Sequence, residues 1–163
     1  MVAIAFRPDS WNGLLFGHLL AAFALFGGVL TSAVAGIAAS RRDSPREIYL
    51  LTRIGHRTDL FVTWPALVIL FGAGSVLAGR ENVWGNAWLQ AGIGVTLAGA
   101  VLGGIVLAGL NHRVMGRAEG LVAEGVEHSE ELQKMANHPV FKLLGPLVLL
   151  LFPVLFWLMT SKP

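Results

Sequence analysis

Residues 11–39 read WNGLLFGHLLAAFALFGGVLTSAVAGIAA, a run of 29 positions without Asp, Glu, Lys or Arg. As a helix this run is about 43 Å long, enough to cross a hydrocarbon core of about 30 Å and enter both headgroup layers, or to tilt. Pro8-Asp9-Ser10 supplies the expected helix start. Met1–Phe6 is apolar rather than basic, and the apolar run is too long for the core of a signal peptide, so it reads as a span rather than a cleaved leader.

Outward from this run lie three more apolar stretches of spanning length, Leu60–Gly79, Asn86–Leu110 and Val140–Met159. The expected fold class is therefore all-α: a transmembrane four-helix bundle forming one integral membrane domain over residues 1–163. Composition agrees, with 55% hydrophobic and 13% charged residues, where soluble domains carry about 25% charge. The lack of cysteine excludes disulfides, thiolate metal sites and a cysteine nucleophile. Twelve Lys+Arg against ten Asp+Glu, with no basic stripe, argues against a nucleic-acid partner. The expected partners are the lipid bilayer and other membrane proteins or further copies of the chain.

Basic residues orient the spans. Arg41, Arg42, Arg46, Arg53 and Arg57 follow span one, and Arg113, Arg117 and Lys134 follow span three, with Lys142 just inside span four; the other side has Arg7, Arg80 and Lys162. The positive-inside rule then puts both long connections in the cytoplasm and both termini outside, in the periplasm of a bacterial plasma membrane. Trp11, Trp84, Trp88 and Trp157 fall at the outer interface as an aromatic belt, and Trp64 falls near the inner face.

Small residues suggest the packing. Span three has Gly92, Thr96, Ala100, Gly104 and Ala108 at four-residue steps, with Gly99 and Gly103 beside them, and span one has Gly13, Gly17, Ala21 and Gly28. Such ridges let backbones approach closely, which predicts spans one and three at the bundle centre. Span four, rich in Leu and Phe with Pro146 and Pro153 on one face, is expected to be the most lipid-exposed.

In the second connection Ala118, Leu121, Val122, Val126 and Leu132 recur opposite Glu119, Glu124, Glu127, Glu130, Glu131 and Lys134. That spacing predicts an amphipathic cytoplasmic helix between spans three and four, weakened by Gly116, Gly120 and Gly125. A shorter helix is expected in Arg41–Asp59. The two halves share a Gly-rich span, a cytoplasmic helix and a Pro-containing span, which hints at a two-hairpin repeat.

His18 followed by Gly27-Gly28, Arg57-Thr58-Asp59 leading into Trp64-Pro65, and the closing Leu158-Met159-Thr160-Ser161-Lys162-Pro163 together resemble a bacterial family of small four-span predicted integral membrane proteins whose function is unassigned. The likeness covers nearly the whole chain and implies a fold and a compartment rather than an activity. Ala66 departs from it, standing where glycine is expected after the proline. More distantly, a histidine early in span one is similar to four-span copper-resistance and protoporphyrinogen-oxidase-like membrane proteins, which implies a haem or metal role.

Three groups carry candidate chemistry. His18 is the one ionisable residue well inside a span, about 12 Å outward of Phe26 at mid-span. A buried, unpartnered histidine costs several kcal/mol, so it needs a hydrogen-bond partner such as Ser75, Gln90 or Thr160, a role in proton relay, or a metal or haem b to ligate. No other span offers a histidine at its depth as a second axial ligand. His56, His112 and His138 gather at inner span ends with Asp59, Asn111 and Asn137, as a second metal or haem candidate. Against that, His112 suits a helix C-terminus, Asn137-His138-Pro139 reads as a helix start, and Asp59 reads as the cap or first turn of span two, paired with Arg53 or Arg57. Glu124, Glu127, His128 and Glu131 echo a di-iron carboxylate motif, but the matching carboxylates on other helices are missing and a solvated acidic face is expected.

The expected function is a non-catalytic helical membrane module, an accessory or interaction subunit or a homo-oligomer, rather than an enzyme. The alternative is a haem- or metal-binding redox protein using His18 or the inner histidines. Solute or proton transport is weaker, because no span carries a broken helix or a buried charge pair.

Overall fold

The computed structural model describes residues 10–161. The cap expected at Pro8-Asp9, the charges Arg7 and Lys162, the closing Lys162-Pro163 and the ring of Trp11 lie outside what it describes. Every regular element among the described residues is helical: α1 (Ser10–Ala39), α2 (Pro45–Thr58), a π-helical segment Asp59–Thr63, α3 (Trp64–Glu81), α4 (Ala87–Gly99), a second π-helical segment Ala100–Leu107, α5 (Ala108–Ala123), α6 (Glu130–Ala136) and α7 (Pro139–Ser161).

The segments from Pro45 to Glu81 and from Ala87 to Ala123 are continuous helices of 37 residues each, and with α1 and the stretch Glu130–Ser161 they make four helices apolar enough to span. Thirty-seven residues rise about 55 Å, well beyond the bilayer core, so spans two and three must project past it on the Arg-rich side. The first hairpin turns at Ser40–Ser44, before Pro45 starts the next helix; the turn after span two closes on Asn82 in the left-handed conformation, φ 53°.

Three expectations about packing are corrected. Spans one and three barely touch: α1 packs along α2 and α3, while α4 and the second π-helical segment pack against α7. The glycines meet large side chains, not each other. A Cβ on Gly99 would stand 3.3 Å from Leu151, one on Gly103 would stand 3.5 Å from Val148, and one on Gly104 would stand 2.8 Å from the indole of Trp64. For the same reason span four is not the most lipid-exposed helix. Its Val148, Phe152 and Leu158 are buried, whereas no residue in the most apolar stretch of span three is. Bulky residues on one helix fill the hollows that glycines leave on the other.

The centre of the bundle is Leu25, Ala66 and Phe152, with Phe26 edge-on to Phe152 at 5.0 Å between ring centroids. Ala66 is 4% exposed, so its methyl fills this contact.

The single amphipathic helix expected between spans three and four is two helices. Span three continues as α5 to Ala123, Gly125 adopts φ 73°, and the Ser129 hydroxyl accepts the Leu132 N–H to start α6. The left-handed glycine and the serine cap together break the periodic pattern. Ala118, Leu121 and Leu132 nevertheless bury together with Ile48, Val114, Ala39 and Ala136, a second core at the Arg-rich end. On α2, Pro45, Ile48, Thr52 and Gly55 form the buried face at three- and four-residue steps. Exposed pairs surround this core: Arg117 with Glu131 at 3.1 Å, Arg42 with Glu47 at 3.6 Å and His128 with Asp43 at 3.4 Å. Each is worth little on its own.

Candidate functional site

His18 is buried between spans one and two. Its Nδ1 lies 3.1 Å from the Leu70 carbonyl oxygen, and its ring edge rests where a Cβ of Gly74 would be, 3.0 Å from Cε1. The partner is thus a backbone carbonyl on span two rather than Ser75, Gln90 or Thr160. Glycine at 74 is what lets the imidazole reach the backbone. With Nδ1 donating, Nε2 is left as an acceptor, the arrangement found in metal-bound histidines. The large cavity of this structure begins at Leu25, two turns away, and His18 is not in its lining. The bond to the Leu70 carbonyl ties span one to span two.

The inner histidines are only partly brought together. The rings of His56 and His112 lie 5.7 Å apart between centroids, tilted by 37°. His138 caps the last span instead, accepting the Val140 N–H at Nδ1, 3.3 Å away. His112 sits within a continuing helix, not at the helix C-terminus expected for it. Asn137 donates to the Ser40 carbonyl at 2.7 Å, pinning α6 to the end of span one. Among the described residues no three His, Asp or Glu side chains converge as metal ligands would.

Asp59 is the larger correction. It neither caps span two nor pairs with Arg53 or Arg57; it opens the π-helical segment in the middle of a continuous helix. Its Oδ1 accepts the Ser32 hydroxyl at 2.7 Å and the Thr63 hydroxyl at 3.3 Å, and Ser32 also reaches the Gly55 carbonyl at 3.2 Å. Ser32 is six residues from Phe26, about 9 Å along the helix, so this carboxylate lies within the roughly 15 Å half-thickness of the hydrocarbon core. A second ionisable group therefore sits inside the spans.

Asp59, Ser32 and Thr63 form one wall of a cavity of about 450 Å³ bordered by all four spans. Lys142, Asn111, Ser40 and Thr96 also line it, and most of the rest is apolar or glycine. Asn111 is held by a bond from its Nδ2 to the Thr52 carbonyl at 3.2 Å. Both π-helical segments border this space, through Asp59 and Thr63 on one side and Gly103 and Gly104 on the other. Such segments recur at functional sites. Sequence reading missed the site because hydropathy starts span two at Leu60. The available signals were Asp59 and Thr63 four residues apart and a serine deep in span one.

Four apolar helices of spanning length, a core outside the spans and a largely apolar cavity with a few polar groups on its wall define a multi-pass, all-helical integral membrane protein. Residues 13–163 match the family described as predicted integral membrane protein (DUF2269), and the chain belongs to that family. No curated protein and no solved structure matches it.

Proposed function

We propose that the chain is a non-catalytic binding module of the bacterial inner membrane, an accessory or interaction subunit of a membrane complex or a homo-oligomer. Both termini are periplasmic, and the connections holding Arg41–Arg57 and Arg113–Lys134 are cytoplasmic, in keeping with the eight basic residues they carry.

The observation that supports this reading is what the polar groups inside the spans do. His18 bonds the backbone of span two, Ser32 bonds Asp59, and Thr31, Thr96 and Thr160 return their hydroxyls to carbonyls of their own helices. These groups hold helices rather than form a nucleophile with its base. Span three meanwhile presents Leu97, Val101 and Ile105, 52%, 49% and 64% exposed, with open space at Gly94 and Gly109 on either side. A ridge with small residues at its ends suits a second helix.

A photoreactive residue placed at position 101 or 105 tests this in native membranes. Protein adducts are expected from span three, and lipid adducts alone from position 143, which is 71% exposed on span four. Lipid adducts alone at all three positions would remove the support for an association role.

A further inference from the structure

We propose that the cavity binds one single-chain lipid with a hydroxyl-bearing head, its chain running from the Arg-rich side towards the middle of the bilayer. Size limits the occupant to one chain. A methylene is close in bulk to a water molecule, whose share of liquid volume is about 30 Å³, so a cavity of about 450 Å³ accommodates about fifteen such groups. The lining extends from Leu25 to Ser40 on span one and from Val95 to Asn111 on span three, roughly 22–24 Å along each helix axis. An extended chain advances about 1.2 Å per bond, so about sixteen carbons cover most of that length. The space is long and narrow, with room for one chain lengthwise and none for a second. Its polarity matches a head and a tail: Ser40, Asn111 and Asp59 line the Arg-rich end, whereas Leu25, Val95 and Leu155 line the other. Ile37 and Trp64, also in the lining, are 54% and 40% exposed, which opens the space to the surface that faces lipid.

The head is selected by the hydrogen-bond valences left over. All four hydroxyl hydrogens of the lining are already donated: Ser32 and Thr63 to Asp59 Oδ1, Ser40 to the Ile37 carbonyl at 2.9 Å, and Thr96 to the Gly92 carbonyl at 2.7 Å. The acceptors are not used up. Asp59 Oδ2 takes no bond among the described residues and is not sealed from the cavity, and Asn111 Oδ1 takes none either, its Nδ2 being held by the Thr52 carbonyl. Acceptors facing apolar space without a donor are costly, so a fitting head supplies O–H groups. His56, one turn before Asp59, already acts on the carboxylate electrostatically, which favours a neutral donor over a second cation. Lys142 is exposed and keeps its ammonium at the mouth, with water and headgroups. A carboxylate head offers acceptors only, whereas a glycerol or alcohol head offers donors without charge.

The test uses the full chain in phosphatidylcholine nanodiscs free of detergent, since detergents are themselves single-chain amphiphiles. The discs are loaded with 1-monopalmitoylglycerol, dipalmitoylglycerol, methyl palmitate or hexadecylamine, and the molecules retained per chain are counted by native mass spectrometry. One monopalmitoylglycerol per chain is expected. It should bind at least about tenfold tighter than dipalmitoylglycerol, which brings a second chain, or methyl palmitate, which lacks the hydroxyls, tenfold being the size of one hydrogen bond to a charged group. Asp59→Asn keeps an oxygen to accept from Ser32 but puts an N–H in place of Oδ2, and is expected to bring monopalmitoylglycerol and methyl palmitate within about threefold of each other. Ala33→Phe leaves every polar group of the lining in place and fills the space, and is expected to lose monopalmitoylglycerol altogether. Two molecules per chain, equal binding of methyl palmitate or dipalmitoylglycerol, tighter binding of hexadecylamine, an undiminished preference in Asp59→Asn, or undiminished binding in Ala33→Phe would each overturn the proposal.

Discussion

Ile48→Ala is expected to destabilise the Arg-rich end of the bundle by about 2–5 kcal/mol, the range for emptying a fully packed aliphatic site. Ile48 is 0% exposed and central to the cluster with Val114, Ala118, Leu121 and Leu132. That cluster lies where the helices outrun the bilayer core, so water rather than lipid is the alternative environment and the full hydrophobic penalty applies. Loss of this core frees the Gly125 turn, and limited proteolysis between Ala123 and Glu130 is expected to accelerate at least about tenfold while the spans stay helical by circular dichroism. Ile54→Ala, at a site 51% exposed on the same helix, serves as the control and is expected to change neither readout.

Gly28→Leu and Gly27→Leu should differ sharply although the residues adjoin. A Cβ at Gly28 would stand 2.5 Å from the Thr63 hydroxyl and 3.5 Å from the Thr63 Cα, whereas nothing lies within 4 Å of one at Gly27. Leucine at 28 forces span one away from span two and strains the Ser32–Asp59 bond one turn further on. The expected loss is about 1–3 kcal/mol, the usual range for overpacking. Leucine at 27 faces open space and is expected to be neutral, or stabilising by up to about 1 kcal/mol through helix propensity. Thermal unfolding in detergent, read by near-ultraviolet circular dichroism, separates the two.

The number, class and approximate place of the helices were legible because hydropathy over 20 residues is a strong signal. Trp11–Ala39 as read from sequence and Ser10–Ala39 in the structure differ by one residue. Helix neighbours were not legible. A glycine ridge states only that something approaches, and in span three the approaching groups are Leu151, Val148 and Trp64 rather than another glycine ridge. The second core was half legible: Ala118, Leu121 and Leu132 were marked as an inward face, but the break at Gly125 and the part played by Ile48 needed the fold.

The candidate site was the least legible part. Asp59, two residues after Arg57 at the start of a hydropathic run, looks like an interfacial cap. Only a helix continuous from Pro45 to Glu81 brings it level with Ser32 and turns it into an intramembrane carboxylate. His18 was found directly, since a titratable residue in an uncharged run is conspicuous, but its partner is a backbone carbonyl, which leaves no trace in side-chain composition.

The most direct test of the binding-module account is purification of the tagged chain from native membranes in mild detergent, with mass and visible absorbance recorded on the same sample. The account predicts a colourless assembly, either a multiple of the 17.4 kDa chain or a complex with another membrane protein, with mass and absorbance unchanged in His18→Ala. A strict monomer carrying a Soret band that disappears in His18→Ala would contradict it.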